Sequence, residues 1–275
     1  MSNRLFWVLA VVAVAASVAS VLVVRNRGGD SRSASAVVGT VDPALTAKMR
    51  RVAFYDWEPN VIGPGGRPAP GDPAVTGGRK AGRAGALSLY DAVLRAARRP
   101  ARVEPDNARQ TTLHYAVDPA RRRVFGRGAA TRAQALAAVP AAARGAARVY
   151  EVKPDTTIVA AEGSRTRWFV LKDDVALPGS DIRDPRRAID QSSGRSVVNF
   201  AFTEPGLVRF QQLTQALARR GAASSLSHAG DDPARHNQHF AVVSDGRIVA
   251  LPFIDFRVNP DGLDARAGSQ LAAPL

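Results

Sequence analysis

HFAVVSDGRIVAL, residues 239–251, is two apolar runs joined by Asp245-Gly246. Both central residues of a type I′ turn need positive φ, which Asp tolerates and Gly adopts freely, so the stretch predicts a β-hairpin. Upstream, VVNFAF (residues 197–202) alternates enough for another strand. It leads into Thr203-Glu204-Pro205-Gly206 and a helical pattern with Leu207, Phe210, Leu213 and Leu217 on one face. Thr203 suits the N-cap, Pro205 is tolerated in the first turn, and Gly221 is expected to stop the helix. Strand, helix and hairpin in this order predict an α+β fold: antiparallel sheet with helices packed on one face.

WFVLK at Trp168–Lys172 has a strand's composition and opens this C-terminal region, residues 167–275. Residues 51–166 read as a second, basic α+β region. Strands are expected at 52–56, 112–117, 149–152 and 156–161. Helices are expected at 88–99, capped by Ser88 with Leu89, Tyr90, Val93, Leu94 and Ala97 on one face, and at 131–139, stopped by Pro140. Between them, residues 59–83 hold five prolines and seven glycines and predict a long loop. There is no internal repeat.

Residues 5–24, LFWVLAVVAVAASVASVLVV, carry no charge. At 1.5 Å per residue the run spans about 30 Å, the hydrocarbon thickness of a bilayer. Arg4, Arg25 and Arg27 fence it, and Trp7 sits near one end. A cleaved signal peptide has a shorter apolar core and a small-residue site, whereas this run ends in Val-Leu-Val-Val-Arg. Residues 1–27 are therefore expected to be a transmembrane anchor and 28–50 a linker, in a single-pass plasma-membrane protein. The arginines after the run favour a cytoplasmic body by the positive-inside rule, although large domains translocate against weak flanking charge.

About 245 of the 275 residues lie beyond this segment, enough for one large domain or two small ones. No cysteine is present, which excludes disulfides, thiolate nucleophiles and sulfur-based zinc sites. The net charge is +14; residues 1–150 hold 23 Lys+Arg against 9 Asp+Glu, whereas residues 151–275 balance at 15 each. Arginine supplies 34 of the 38 basic residues, a usage that fits GC-rich codon bias as well as a ligand surface.

Motifs of the C-terminal region resemble SecD, the membrane subunit assisting the protein-export translocon, in its first extracytoplasmic domain near the SecDF head subdomain. The strand WFVLK leads into Leu177, Gly179, Asp181 and Ile182, then Asp190-Gln191. An Asn-Phe-type strand enters Thr203, Gly206 and the Phe210 helix. His239, Phe240, Ala241, Asp245, Gly246 and Pro252 complete the pattern over about 100 residues, 167–270. FYDWEPNVIG (residues 54–63) is weakly similar too. The resemblance implies a SecD-head-like domain, an extracytoplasmic body despite the flanking arginines, and Sec translocon subunits, a SecF-like protein or exported polypeptide as partners. SecD continues into further membrane helices, whereas this sequence ends soon after Ala267-Gly268-Ser269-Gln270. The expectation is a chain without the membrane-embedded proton relay.

Candidate chemistry is sparse. His228, His236 and His239 with Asp231 and Asp232 are metal-ligand types in HAGDDPARHNQH, but their Pro/Gly/Asn context reads as a solvated loop. Asp173 and Asp174 are adjacent, so on a strand they point to opposite faces and are expected to end it at the surface beside Lys172. No Gly-x-Ser-x-Gly elbow occurs, and the glycine stretches lack a Gly-Lys-Ser/Thr ending. We therefore assign no catalytic, cofactor-binding or metal residue. Phe200, Phe202, Phe210, Phe253 and Phe256 are expected to be core rather than the lining of a groove. The arginine runs (Arg98, Arg99 and Arg102; Arg121–Arg123; Arg144 and Arg148) lack interleaved aromatic residues, so nucleic acid is not expected.

The expectation is a non-enzymatic, membrane-anchored protein that binds polypeptides in translocation, held by residues 5–24 with its bulk outside. The alternative is an envelope scaffold whose Arg-rich half binds anionic lipid or wall polymer. A metal-dependent envelope hydrolase using the 228–239 histidines ranks last.

Overall fold

The computed structural model describes residues 22–24, 42–63, 85–98, 111–189, 196–228, 230–264 and 269–271. Outside them lie residues 5–21 of the apolar run, most of the linker, residues 64–84 of the Pro/Gly-rich loop, Arg99, Arg102 and Asp190-Gln191.

In chain order the elements are β1 (Leu22–Val24), α1 (Pro43–Met49), β2 (Val52–Asp56), α2 (Trp57–Asn60), α3 (Leu89–Ala97), β3 (Leu113–Asp118), β4 (Arg123–Ala129) and α4 (Arg132–Ala137). There follow β5 (Arg148–Val152), β6 (Thr156–Ala160), β7 (Trp168–Lys172), β8 (Val175–Pro178), β9 (Ile182–Ile189), β10 (Ser196–Phe202) and α5 (Glu204–Ser227). The last strands are β11 (Gln238–Ser244), β12 (Arg247–Ala250), β13 (Phe253–Ile254) and β14 (Ser269–Leu271). The fold is mixed α+β. Residues 22–24 of the apolar run form a strand rather than helix, pairing Leu22↔Leu271 through Val24↔Ser269. Among the described residues no helix is long and apolar enough to cross a membrane.

The chain divides into two compact units, residues 1–56, 176–245 and 249–275, and residues 57–175 and 246–248. In the first, β2 pairs antiparallel with β11 from Phe240↔Asp56 to Ser244↔Val52, β8 flanks β2, and β13 pairs the start of β11. A second sheet runs β1-β14-β10-β9. Its β9 gains one residue against β10 between the pairs Asn199↔Arg186 and Ala201↔Arg183. Asp184 accommodates that bulge at φ +53°. Phe54, Phe200, Phe202, Phe210 and Phe240 are all at most 4% exposed and meet with ring centroids 5.0–6.5 Å apart, mixing edge-on and stacked pairs. Each buried ring is worth roughly 1.5–3 kcal/mol of transfer free energy, and the edge contacts add to it. The hairpin turns as read, with Asp245 at φ +49° and Gly246 at φ +72°.

Thr203 caps α5, its Oγ1 accepting from Gly206 N at 3.2 Å. Gly221 does not stop the helix, which continues to Ser227. Gly221 is buried in the helix because a Cβ there would come within 2.8 Å of the Phe256 ring and 3.1 Å of the His236 carbonyl.

In the second unit β4-β3-β5 form an antiparallel sheet, with α3 and α4 packed on it. Ser88 caps α3 through the Asp91 amide at 3.1 Å, and Tyr90, Val93 and Ala96 face inward with Val117, Val152 and Val170. Thr131 caps α4, whose Ala135 packs with Ala116, Phe125 and Val139. Strands β6 and β7 pair from Thr156↔Lys172 to Ala160↔Trp168. A division between residues 166 and 167 would separate these two partners. Conversely β2, which opens the basic region in sequence, takes its partner from β11.

Candidate functional site

Of the residues that carry the C-terminal motif, Asp181, Thr203 and Gly206 meet at the start of α5. Leu177 is fully buried in the first unit's core. Gly179 follows it where the chain passes over the backbone of α1 and β2: a Cβ there would collide with the Met49 carbonyl and lie 2.6 Å from the Val52 carbonyl. Asp181 is 8% exposed and works twice. Its carbonyl accepts from Thr203 N at 2.8 Å, and its carboxylate accepts from Arg209 Nη1, one helical turn into α5. A Cβ on Gly206 would come within 2.8 Å of Asp181, which is why the helix can begin so close to that loop. Further along α5, Arg220 donates to Asp56 and approaches Gln238 of β11. Thr214 Oγ1 accepts from Leu263 N at 3.0 Å and so ties the chain after β13 to the helix. Neither Arg209 nor Arg220 is marked in the sequence, since nothing local distinguishes them from the other arginines.

The phenylalanines part company. Phe200, Phe202 and Phe210 are core, while Phe253 and Phe256 are half-buried at its margin. Phe200, Phe202 and Phe210 are thus inaccessible to a polypeptide. The large apolar side chains that do face solvent among the described residues are Ile189, Val208, Leu226 and Val258, all in the first unit. Strand β9 forms one end of its sheet, and its edge is guarded by Pro185, the Asp184 bulge and exposed arginines.

The histidines do not gather around a point. His239 is buried on β11 against Phe253, with ring centroids 5.9 Å apart. His228 and His236 stack at 5.2 Å, both steered by Ser224: its carbonyl accepts from His228 Nδ1, and its Oγ bonds His236 Nδ1, each at 2.9 Å. Among the described residues no group of three or more His, Asp or Glu side chains is placed to hold a metal ion. Ser224, His236 and Asp231 do stand in sequence, with Asp231 Oδ2 3.7 Å from His236 Nε2. Ser224 lies inside α5, where the neighbouring amides are spent on helix bonds rather than free to stabilise an oxyanion. The arrangement closes the C-terminal end of α5 over residues 233–236.

Asp173 departs from its reading. It is 5% exposed, its amide donating to the Asp155 carbonyl at 2.8 Å, whereas Asp174 reaches solvent and pairs with Lys172 at 2.7 Å. Both lie in the connection between β7 and β8 rather than on a strand, so the expected surface end of the strand holds for Asp174 and not for Asp173.

Residues 155–269 match the family described as SecDF, P1 head subdomain. No curated protein matches the chain in sequence. Among solved structures, "Crystal structure of SecDF in Super-membrane-facing form" is similar at 19% identity and a TM-score of 0.27, over 62% of this chain and 17% of that one. "Structure and function of a membrane component SecDF that enhances protein export" is similar at 20% identity and a TM-score of 0.27, over 62% of this chain and 57% of that one. The chain thus spans less than two thirds of either solved chain. It carries a SecD-head-like domain, an assignment that rests on the sequence match over residues 155–269.

Proposed function

We propose that this chain is a non-enzymatic protein of the export system that handles polypeptide outside the membrane, anchored by the part of its apolar run that precedes β1. The match of residues 155–269 to the SecDF head carries this reading. One of the two similar structures is described as a membrane component that enhances protein export. The geometry is compatible with such work. Asp181, Thr203 and Gly206 of the motif are spent on seating α5 rather than on chemistry. A rigid support of this kind can present apolar contacts without collapsing on them, and Ile189, Val208, Leu226 and Val258 are the exposed large apolar groups of that unit. Chain binding would use those contacts and backbone pairing more than a closed pocket.

The test is photo-crosslinking in cells. A light-activated amino acid replaces Ile189, Val208 or Leu226 in turn, while an arrested secretory precursor occupies the translocon. Adducts with the precursor or a translocon subunit from at least one position support the reading. A set of positions that yields no such adduct, while the protein is present and folded, overturns it.

A further inference from the structure

Charge in the second unit is concentrated. Residues 111–152 hold seven arginines against two acids, Asp118 and Glu151. They form the β4-β3-β5 sheet together with α4 and the short helix Ala141–Ala146. Asp118 is buried and engaged by Arg121, Arg122 reaches Asp91, and Glu151 pairs with Lys153. Arg123, Arg127, Arg132, Arg144 and Arg148 are exposed and have no acidic partner among the described residues. Arg123 lies over the Phe125 ring, 5.2 Å from its centroid. Arg132 occupies the first turn of α4, where the helix dipole disfavours a cation and no acidic residue offsets it. Helix stability does not explain that charge.

The aromatic groups of this segment are not stacking platforms. Tyr115 and Phe125 are buried, and Tyr150 is half-buried. Bases would find nothing to lie against. Exposed guanidinium groups in this number suit a diffuse negative surface, which rewards each charge without a shaped pocket. The uncharged residues 5–21 that precede β1 meet the lower limit of about 17 for a span and would bring a bilayer within reach of the body. We propose that the exposed arginines of residues 111–152 bind the anionic headgroup surface of phospholipid bilayers. This goes beyond the export reading and shares with it only the nearby bilayer.

The chain's lack of cysteine permits a clean probe. A Cβ at Gly145 meets nothing within 4 Å, so Gly145→Cys carries an environment-sensitive dye beside Arg144 without disturbing the packing. The full chain is reconstituted in phosphatidylcholine bilayers with and without phosphatidylglycerol. The anchor is common to both, so only the headgroup charge differs. The dye should report lipid contact in the anionic bilayer alone, and high salt should reverse it. Arg123→Ala/Arg127→Ala/Arg132→Ala should abolish the response, each lost guanidinium weakening contact about fivefold. Arg127→Ala/Arg132→Ala leaves the Arg123–Phe125 stack intact and should lose a proportionate share. Equal signals in both bilayers, or a triple variant that still responds, would overturn the proposal. So would a response to added soluble polyphosphate with none to phosphatidylglycerol, which would assign these arginines to an anionic wall polymer.

Discussion

A methyl group at Gly179 has nowhere to go, because the atoms it would meet are carbonyls of Met49 and Val52 rather than a side chain able to swing away. Backbone must move, and with it the junction of α1, β2 and the loop that carries Asp181. Gly179→Ala should therefore cost about 3 kcal/mol, the upper part of the overpacking range. That lowers Tm by roughly 6–12 °C for a chain of this size. Gly145→Ala, which adds a methyl group in open space, should stay within about 0.5 kcal/mol in the same melts. Asp91 offers a second test at this scale. The Ser88 hydroxyl donates to its carboxylate at 2.7 Å and Arg122 adds a charge-assisted bond, which together outweigh partial burial and hold its pKa below the usual carboxylate value. A depressed folded pKa contributes stability above the unfolded value of about 3.9 and loses it as pH falls through the folded one. Urea midpoints of wild type and Asp91→Asn should thus differ at neutral pH and converge below pH ~4. A gap unchanged into acid would place the effect in packing. Residues such as Ser88, Thr203 and Gly246 were legible in the sequence because caps and turns are local chemistry. Asp173, Arg209 and Arg220 were not, because their burial or partners lie far along the chain.

Helix α5 shows where local reading fails at the level of an element. A glycine near the end of an apolar-periodic segment is ordinarily a stop, because it adopts the left-handed conformation of a C-cap. At Gly221 the glycine serves closeness instead, under Phe256 and the His236 carbonyl. The two roles make opposite predictions. In an exposed helix interior Gly→Ala gains up to about 1 kcal/mol. Gly221→Ala here should lose about 1–3 kcal/mol, since the ring 2.8 Å from the new methyl group must shift. Thermal or urea unfolding reads the sign directly, and stabilisation would mean that Phe256 yields freely. Strands β4 and β9 were missed for a related reason. RVFGRGA and IRDPRRAI are broken by glycine, proline and arginine, which suppress any alternating signal. Those residues belong to bulges, with Gly126 at φ +67° and Asp184 at φ +53°, and to edge strands that profit from charge and proline. Strands β7, β10 and β11 were legible because both their faces are largely buried and their sequences are correspondingly apolar.

For the whole molecule the proposed anchor makes one question decisive, namely on which side of a membrane the SecD-head-like domain would lie. Two physical signals oppose each other. Arg25, Arg27 and Arg32 follow the apolar run and favour a cytoplasmic body, whereas the export reading requires the outside. The charge rule weakens when a long folded domain follows an apolar run, so the export reading expects the body outside. Leu226 is 83% exposed near the end of α5, and Leu226→Cys would be the chain's single thiol. Intact cells treated with a membrane-impermeant maleimide should label this variant to the same extent as lysed cells. Labelling that appears only after lysis would place the head inside. Polypeptide handling outside the membrane would then fall, while the exposed arginines of residues 111–152 could still meet the anionic inner leaflet. Sidedness therefore separates the two proposals, because bilayer binding by residues 111–152 is open to a body on either side, and export is not.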